Sequence, residues 1–353
     1  MKTFYQSHQF EPRLVREVRR SLHGAEIGFS DRDPEARDRI LAYFEQSTCE
    51  RAGVLHGEYL LMENGLLLVD RRGVFTAINM AWEDPVPVQA AANYALAPAV
   101  LAEARRLLSL WDSLPYVADV PILSDPYSAN YYHFCLELAP RIRYFENSAQ
   151  RRFLIPQSAM RATFQRDMLV RAMRGFECLP FASAVRVRDP LLIHDVMNDN
   201  SLFWIRRNAG LAAAPGDRRV YIRRTVRGTR TAPGGGIVED EAFLKVLAAY
   251  GFETIDFGGG EHTIGEQIAM LDGAGVILSA HGAALSNLTF VSPPTTLVEV
   301  IGARTPRACF VHIAATMGLG YHGLYSDDYD EAGDIRIDAE ELEAVLRAKI
   351  GAP

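Results

Sequence analysis

The stretch from Gly265 to Gly302, GEQIAMLDGAGVILSAHGAALSNLTFVSPPTTLVEVIG, constrains this chain more than any other, because it spells two successive strand-and-helix units. Gly275-Val276-Ile277-Leu278-Ser279 is a short apolar run without polar alternation, as expected of a strand buried on both faces of a parallel sheet. His281-Gly282-Ala283-Ala284 follows where the next helix starts and sets only small side chains around one histidine. Small residues let a ligand approach the backbone closely. A helix start there turns unbonded N–H groups and a positive dipole end toward an anion such as a diphosphate, to which His281 adds a donor. Thr296-Leu297-Val298-Glu299-Val300 then sets one carboxylate inside an apolar strand. A buried acid requires partners; a ribose diol would serve, and so would an arginine of the sheet.

The same rhythm extends on both sides. RRVYIRR, EDEAFLKVLAAYG, FETIDFG and IGEQIAMLDGAG precede the VILSA strand; TLVEVIG, a helix from about Arg307 to Met317 and a strand near Tyr321 follow it. This predicts a doubly wound parallel sheet, whose ligands sit outside the carboxyl ends of the strands. The closing DAEELEAVLRAKI begins acidic and ends basic, which suits a helix dipole, and it is expected to pack back on the N-terminal domain.

The N-terminal half is less regular. Leu14, Val15, Val18 and Leu22 have helical spacing, and EYLLMENGLLLVDRRGVFTAINM reads as a β-meander with turns at Asn64-Gly65 and Arg72-Gly73. NYYHFCLELAPRIRYF reads as a helix that bends or ends near Pro140. RRFLIP, TFQRDMLVRAMRGF and AVRVRDPLLIHDV continue an α/β alternation up to a linker at Ala209 to Asp217. The expected division is 1–208 as an N-terminal α/β domain containing the meander, 209–335 as a Rossmann-like domain, and 336–353 as the returning helix.

Composition excludes several classes. With 48% hydrophobic and 23% charged residues the 353-residue chain is a globular protein of two ordinary domains, and a net charge of -7 argues against a nucleic-acid partner. Cys49, Cys135, Cys178 and Cys309 match no zinc spacing and read as reduced core thiols. The N-terminus MKTFYQSHQFEPRLVREVRR has no apolar signal core, and no run of about 18 apolar residues occurs, so no integral membrane segment is expected. The expected location is cytoplasmic, with at most peripheral contact with an inner membrane. Asp31-Arg32-Asp33 and Asp328-Tyr329-Asp330 have the form of metal-holding triplets but sit in charged surroundings and read as solvated surface, so no metal and no cofactor are expected. The glycines at 234–236 and 258–260 match neither a phosphate loop nor a GxGxxG turn.

Two blocks together carry a family likeness. Asn130-Tyr131-Tyr132-His133-Phe134 with Glu137, Pro140 and Arg141, followed by Tyr221-Ile222-Arg223-Arg224, Glu266-Gln267-Ile268 and His281-Gly282-Ala283-Ala284-Leu285, resembles the family 61 glycosyltransferases, in a bacterial-looking form. Ala284 stands where that family more typically has glycine, and Val238 and Glu239 stand where it often has asparagine and glutamate. The resemblance implies a GT-B-like α/β architecture of two facing Rossmann-like domains with parallel sheets. It further implies inverting transfer of a sugar from a nucleotide-sugar donor, a UDP-sugar foremost, to a glycan, polysaccharide or protein hydroxyl. It selects Arg224 as the diphosphate partner. Arg223, adjacent on the same strand, must face the other way.

The candidate site residues divide by role. For substrate binding they are Asn130, Arg224, His281, Gly282, Ala283, Ala284 and Glu299; for catalysis they are His133, Glu137 and Asp125. His133 and Glu137 are four apart and share one helix face, which suits a general base and the carboxylate that orients it. A histidine between Tyr132 and Phe134 serves equally well as a core residue, and Asp125 is the alternative base. Other classes stay open: a non-catalytic nucleotide or carbohydrate binder of the same architecture, and a Rossmann-type oxidoreductase, against which the missing GxGxxG turn counts.

Overall fold

The computed structural model describes residues 10–18, 26–29, 34–45, 48–63, 67–71, 75–77, 98–124, 127–194, 197–224, 235–258, 260–302 and 307–353. Asp125, the Asp31 to Asp33 triplet and most of the Gly-rich insert after Arg224 lie outside them. Their chain order opens with β1 (Phe10–Val18), β2 (Ile27–Phe29), α1 (Pro34–Glu45), β3 (Thr48–Leu55), β4 (Glu58–Met62), β5 (Leu67–Asp70) and β6 (Phe75–Ala77). It continues through α2 (Pro98–Ser109), β7 (Tyr116–Ala118), β8 (Arg152–Pro156), α3 (Thr163–Ala172), β9 (Glu177–Phe181), β10 (Ala184–Arg188) and β11 (Leu191–His194). The remainder is α4 (Asp199–Ala209), β12 (Arg218–Ile222), α5 (Glu241–Ala249), β13 (Phe252–Ile255), α6 (Ile264–Met270), β14 (Ala274–Ala280), β15 (Thr296–Gly302), α7 (Cys309–Met317), β16 (Gly320–Ser326) and α8 (Ala339–Ile350).

The chain forms two compact units, one from residues 1–18 and 48–197, the other from 19–47 and 198–353. The division at residues 197/198 lies eleven residues before the boundary read from sequence, and the segment 19–47, which the sequence reading placed in the first domain, belongs to the second.

The C-terminal unit carries the parallel sheet that its apolar strands predict, six strands in the order β13-β12-β14-β15-β16-β2 with every neighbouring pair parallel. One face is a core of Val276, Leu278 and Ala280 of β14 with Val298 and Val300 of β15, covered by Phe243 and Leu247 of α5 and by Leu342 and Leu346 of α8. The final helix is thus an element of this unit, where the sequence reading sent it back to the N-terminal domain. The opposite face receives α7, whose Phe310, Val311, Ile313, Ala314 and Met317 are all buried. Helix starts are set by side-chain caps. Asn198 accepts from Ser201 N–H before α4, and Thr263 and Glu266 form a reciprocal capping box before α6.

The N-terminal unit is built differently. Its five-stranded sheet, β6-β5-β4-β10-β7, contains the expected meander β4-β5-β6 and is antiparallel except where β7 joins β10. A second sheet, β1-β3-β11, is antiparallel throughout, and among the described residues parallel pairing in this unit is otherwise confined to β8 with β9 and to isolated bridges at Pro121 and Ile122. The sheets of this half are therefore mainly antiparallel, where the sequence reading expected a second parallel Rossmann-like sheet. The segment around Leu14 to Val18 is a strand and not a helix. Pro12 disfavours a helix interior, and because it has no N–H to donate, the β1–β3 register shifts between Pro12 and Leu14.

Candidate functional site

Two groups of sequence-selected residues come together, one in each unit. In the C-terminal unit the strand order reverses direction at β12 and β14, the switch point at which open α/β sheets form their ligand crevice. Ile222 pairs with Ser279 in that ladder. Arg224 and His281 each follow by two residues, so the register sets them side by side beyond the strand ends. The Arg224 guanidinium donates from one Nη1 to the carbonyls of His281 and Gly235, both at 3.0 Å. Gly235 has φ +100°, and a Cβ there would lie 2.8 Å from that Nη1. Glycine is needed at this position both for the backbone and for the guanidinium.

Strand alternation separates the two arginines as expected. Arg223 grips Glu239 through Nε and Nη2, both at 2.6 Å, and the Tyr221 hydroxyl donates to the same carboxylate at 3.1 Å. Burial and the neighbouring Glu239 carboxylate raise the Tyr221 hydroxyl above its ordinary range, which keeps it a donor. Glu239, standing where the family likeness noted an asparagine-glutamate pair, is therefore occupied with the strand and not with the crevice.

His281 projects at the crevice with its ring 4.8 Å from Phe310, and Gly282, Ala283 and Ala284 behind it are half-buried. Gly282 is extended at φ -175° and precedes a 3-10 helix, Ala283–Phe290. That tighter helix differs from the α-helix the sequence suggests. Asn287 on it donates to Gln267 of α6 at 3.0 Å, which ties the Glu266-Gln267-Ile268 block to the HGAAL block; Glu266 itself is a helix cap. Glu299 is wholly buried, with one oxygen 2.6 Å from His281 Nδ1 and the other accepting from Tyr321 at 2.7 Å. These partners are a histidine and a tyrosine, where the sequence reading weighed an arginine of the sheet. Its partners stand on the adjoining strand end and strand, which no local pattern identifies.

In the N-terminal unit His133 and Glu137 meet as the spacing predicts, Nδ1 to Oε2 at 2.6 Å. They lie on an irregular helix that runs as a π-turn over His133–Leu138 and as a 3-10 helix over Ala139–Phe145. Tyr127 lies against the His133 ring at 5.0 Å and Tyr132 meets it edge-on at 5.1 Å. The His133 side chain is 31% exposed, so it is neither a core residue nor a fully solvated one. Asn130 is exposed and its side-chain oxygen accepts from Tyr132 N–H at 2.9 Å, the geometry of a helix cap. Arg141 is buried and clamps the helix to the preceding segment, donating to the carbonyls of Glu137 at 3.0 Å and Ser124 at 2.9 Å.

The acidic triplet near the C-terminus has local work. Asp328 lies 3.5 Å from Arg336, and Asp330 accepts from Asp334 N–H at 2.8 Å. Asp334 in turn accepts from Gly236 N–H at 3.0 Å, so this loop fastens the segment that supplies Gly235 to Arg224. Among the described residues no three His, Cys, Asp or Glu side chains converge as a metal-holding group.

Comparison with known proteins fits this geometry. The family model described as Glycosyltransferase 61 matches residues 131–298. Over that stretch, just under half of its length, the chain is similar to the glycosyltransferase 61 family. The family match takes in His133, Glu137, Arg224 and His281 and ends one residue before Glu299. Over 60 residues the chain is 37% identical to an Arabidopsis thaliana protein described as a Beta-1,2-xylosyltransferase, a stretch that covers 17% of this chain and 11% of that relative.

Proposed function

We propose that this protein is an inverting glycosyltransferase that moves a sugar from a nucleotide-sugar donor to a hydroxyl of a glycan, polysaccharide or protein. The observation that carries this reading is the convergence of Arg224 and His281 at the β12/β14 switch point. A planar guanidinium and an imidazole beside small residues suit a diphosphate, whose charge grows as its bond to the sugar breaks. On this reading the C-terminal unit binds the donor and the N-terminal unit supplies the base that activates the acceptor.

The chemistry follows from His133. With Nδ1–H donated to Glu137, the remaining ring nitrogen, Nε2, carries the lone pair that removes the acceptor's proton. The acceptor oxygen attacks the anomeric carbon from the face opposite the nucleotide, the bond from that carbon to the diphosphate oxygen breaks, and the nucleoside diphosphate leaves. The xylosyltransferase relative makes a pentosyl donor the first to try, with UDP as the first nucleotide. No helix among the described residues is long and apolar enough to cross a membrane, and a cytoplasmic site of action is part of the proposal.

Calorimetry with UDP, GDP and CDP, followed by transfer assays with the nucleotide that binds, tests the reading. Binding in the micromolar range that His281→Ala and Arg224→Ala each weaken severalfold is expected. Binding with no hydrolysis of the donor and no transfer would favour a non-catalytic binder. No binding of any nucleoside diphosphate would overturn the proposal.

A further inference from the structure

Three adjoining parallel strands carry a line of polar groups through an apolar face of the C-terminal sheet. Tyr321 of β16 donates to Glu299 of β15 at 2.7 Å, and Glu299 meets Nδ1 of His281, just beyond β14, at 2.6 Å. Tyr321 and Glu299 are both wholly buried, whereas the His281 side chain is 23% exposed. A buried carboxylate is costly unless it is paired and hydrogen-bonded, and here each oxygen has one such partner, His281 or Tyr321. Gly323 leaves the space in which the Tyr321 hydroxyl lies, since a Cβ at 323 would come within 3.2 Å of it.

We infer that Tyr321 is a positioning residue for donor binding, acting through Glu299 to hold His281 with Nδ1 protonated and Nε2 directed at the diphosphate. This rests on the nucleotide-site reading of Arg224 and His281. The carboxylate can only accept, so the hydrogen between it and the ring belongs to Nδ1. Burial, and then the charge of Glu299, push the Tyr321 hydroxyl well above its ordinary range, so it stays an O–H donor and Glu299 keeps its lone pairs for the two partners. Nε2 then donates to a phosphate oxygen only in the imidazolium form, and the nucleotide-bound state holds a histidine cation beside Arg224, balanced by Glu299. Because Arg224 donates to the His281 backbone carbonyl, ring and guanidinium are set by the same residue.

The test uses UDP as probe on the full chain, with calorimetric affinity and long-range proton–nitrogen spectra of histidine-labelled protein, the His281 signals assigned with His281→Gln. The wild type should show Nδ1 protonated without UDP and both nitrogens protonated with it. Tyr321→Phe keeps the ring and removes the donor; it should weaken UDP binding about three- to tenfold and turn the His281 spectrum into a mixture of tautomers. Gly323→Ala, which presses on the hydroxyl without deleting it, should move both readouts in the same direction by less. Wild-type affinity and an unchanged His281 spectrum in Tyr321→Phe would overturn the inference while leaving the nucleotide site standing. Failure of the wild type to bind UDP, GDP or CDP would remove the site and the inference with it.

Discussion

His133 stands over Glu137 with Nδ1 2.6 Å from the carboxylate, at the first position of a π-turn. The turn has a cause in the sequence. In α geometry the ring of Pro140 would collide with the carbonyl of Leu136 four residues back, and the wider turn, in which Ala139 N–H reaches Phe134 O, relieves that clash. The histidine is thereby held on a helix that Arg141 fastens to the Ser124 carbonyl, while part of its ring reaches solvent. A base in such a setting combines a fixed tautomer with access for a substrate.

His133→Ala should therefore abolish transfer while leaving donor affinity within about twofold of wild type. Loss of a general base costs about 10²–10⁴-fold in rate. Glu137→Gln should cost less, because it disturbs the tautomer and removes no base. The check is kcat beside donor Kd and melting temperature for each variant. Normal turnover in folded His133→Ala would exclude it as the base and direct attention to Asp125, which lies outside the described residues.

The two neighbouring arginines should give opposite phenotypes. Arg223→Ala loses the two hydrogen bonds to Glu239 and should lower the melting temperature with little change in nucleotide affinity. Gly235→Ala touches no ligand group directly, yet its Cβ would meet Arg224 Nη1 at 2.8 Å and its backbone is in the left-handed region at φ +100°. It should weaken UDP binding as Arg224→Ala does. Retained affinity in Gly235→Ala, measured on folded protein, would show that Arg224 does not reach the nucleotide from this loop.

What could be read from the sequence follows the range of the signal. β14 and β15 were legible because strands buried on both faces are continuous apolar runs, and α6 because IGEQIAM falls between two strand-like runs in a regular strand-and-helix rhythm. The His133–Glu137 pair was legible because it is local. Glu299 was recognised as needing a partner, but the choice of His281 and Tyr321 is made by strand order, which the sequence does not spell out. Tyr321 offered no signal beyond an aromatic in a strand. β2 has three residues, too few to show a period, and its place at the edge of the parallel sheet depends wholly on pairing with β16. Leu14, Val15 and Val18 suggested a helix, and the proline two residues earlier was the better guide.

The thiols supply a prediction about pH. Burial pushes Cys178 up to about 11 and Cys135 well above the ordinary thiol range. In the unfolded chain a thiol ionises near about 8.5, so above that pH the unfolded state releases protons that the folded state retains. Stability should fall as the pH rises from about 8.5 toward 11, the value of the Cys178 thiol, and Cys178→Ala should reduce the slope. Denaturant melts at pH 7.5, 9 and 10 measure it. Alkylation by iodoacetamide at pH 8 should be slow in native protein at both residues and fast in urea. Rapid native labelling at Cys178 would contradict the burial that raises it.

Transfer should persist when divalent metal is removed. The diphosphate is assigned two cationic partners, Arg224 and a protonated His281, and fixed charges of this kind can neutralise a leaving group without a metal ion. The acidic triplet that could hold a metal against it is engaged elsewhere. Asp330 accepts from Asp334 N–H, and Asp328 lies beside Arg336, which also bonds Asp240 at 2.9 Å. Asp328→Asn and Asp330→Asn should accordingly act through the loop that fastens Gly236, lowering melting temperature and nucleotide affinity together and leaving metal response unchanged. The measurement is initial rate with a purified donor and acceptor, before and after dialysis against EDTA, with magnesium or manganese added back. Rates within about twofold across those conditions are expected from an electrostatic site built of side chains. Loss of turnover in EDTA that manganese restores would show that Arg224 and His281 do not suffice, and would make the carboxylates of both aspartate triplets the next residues to replace.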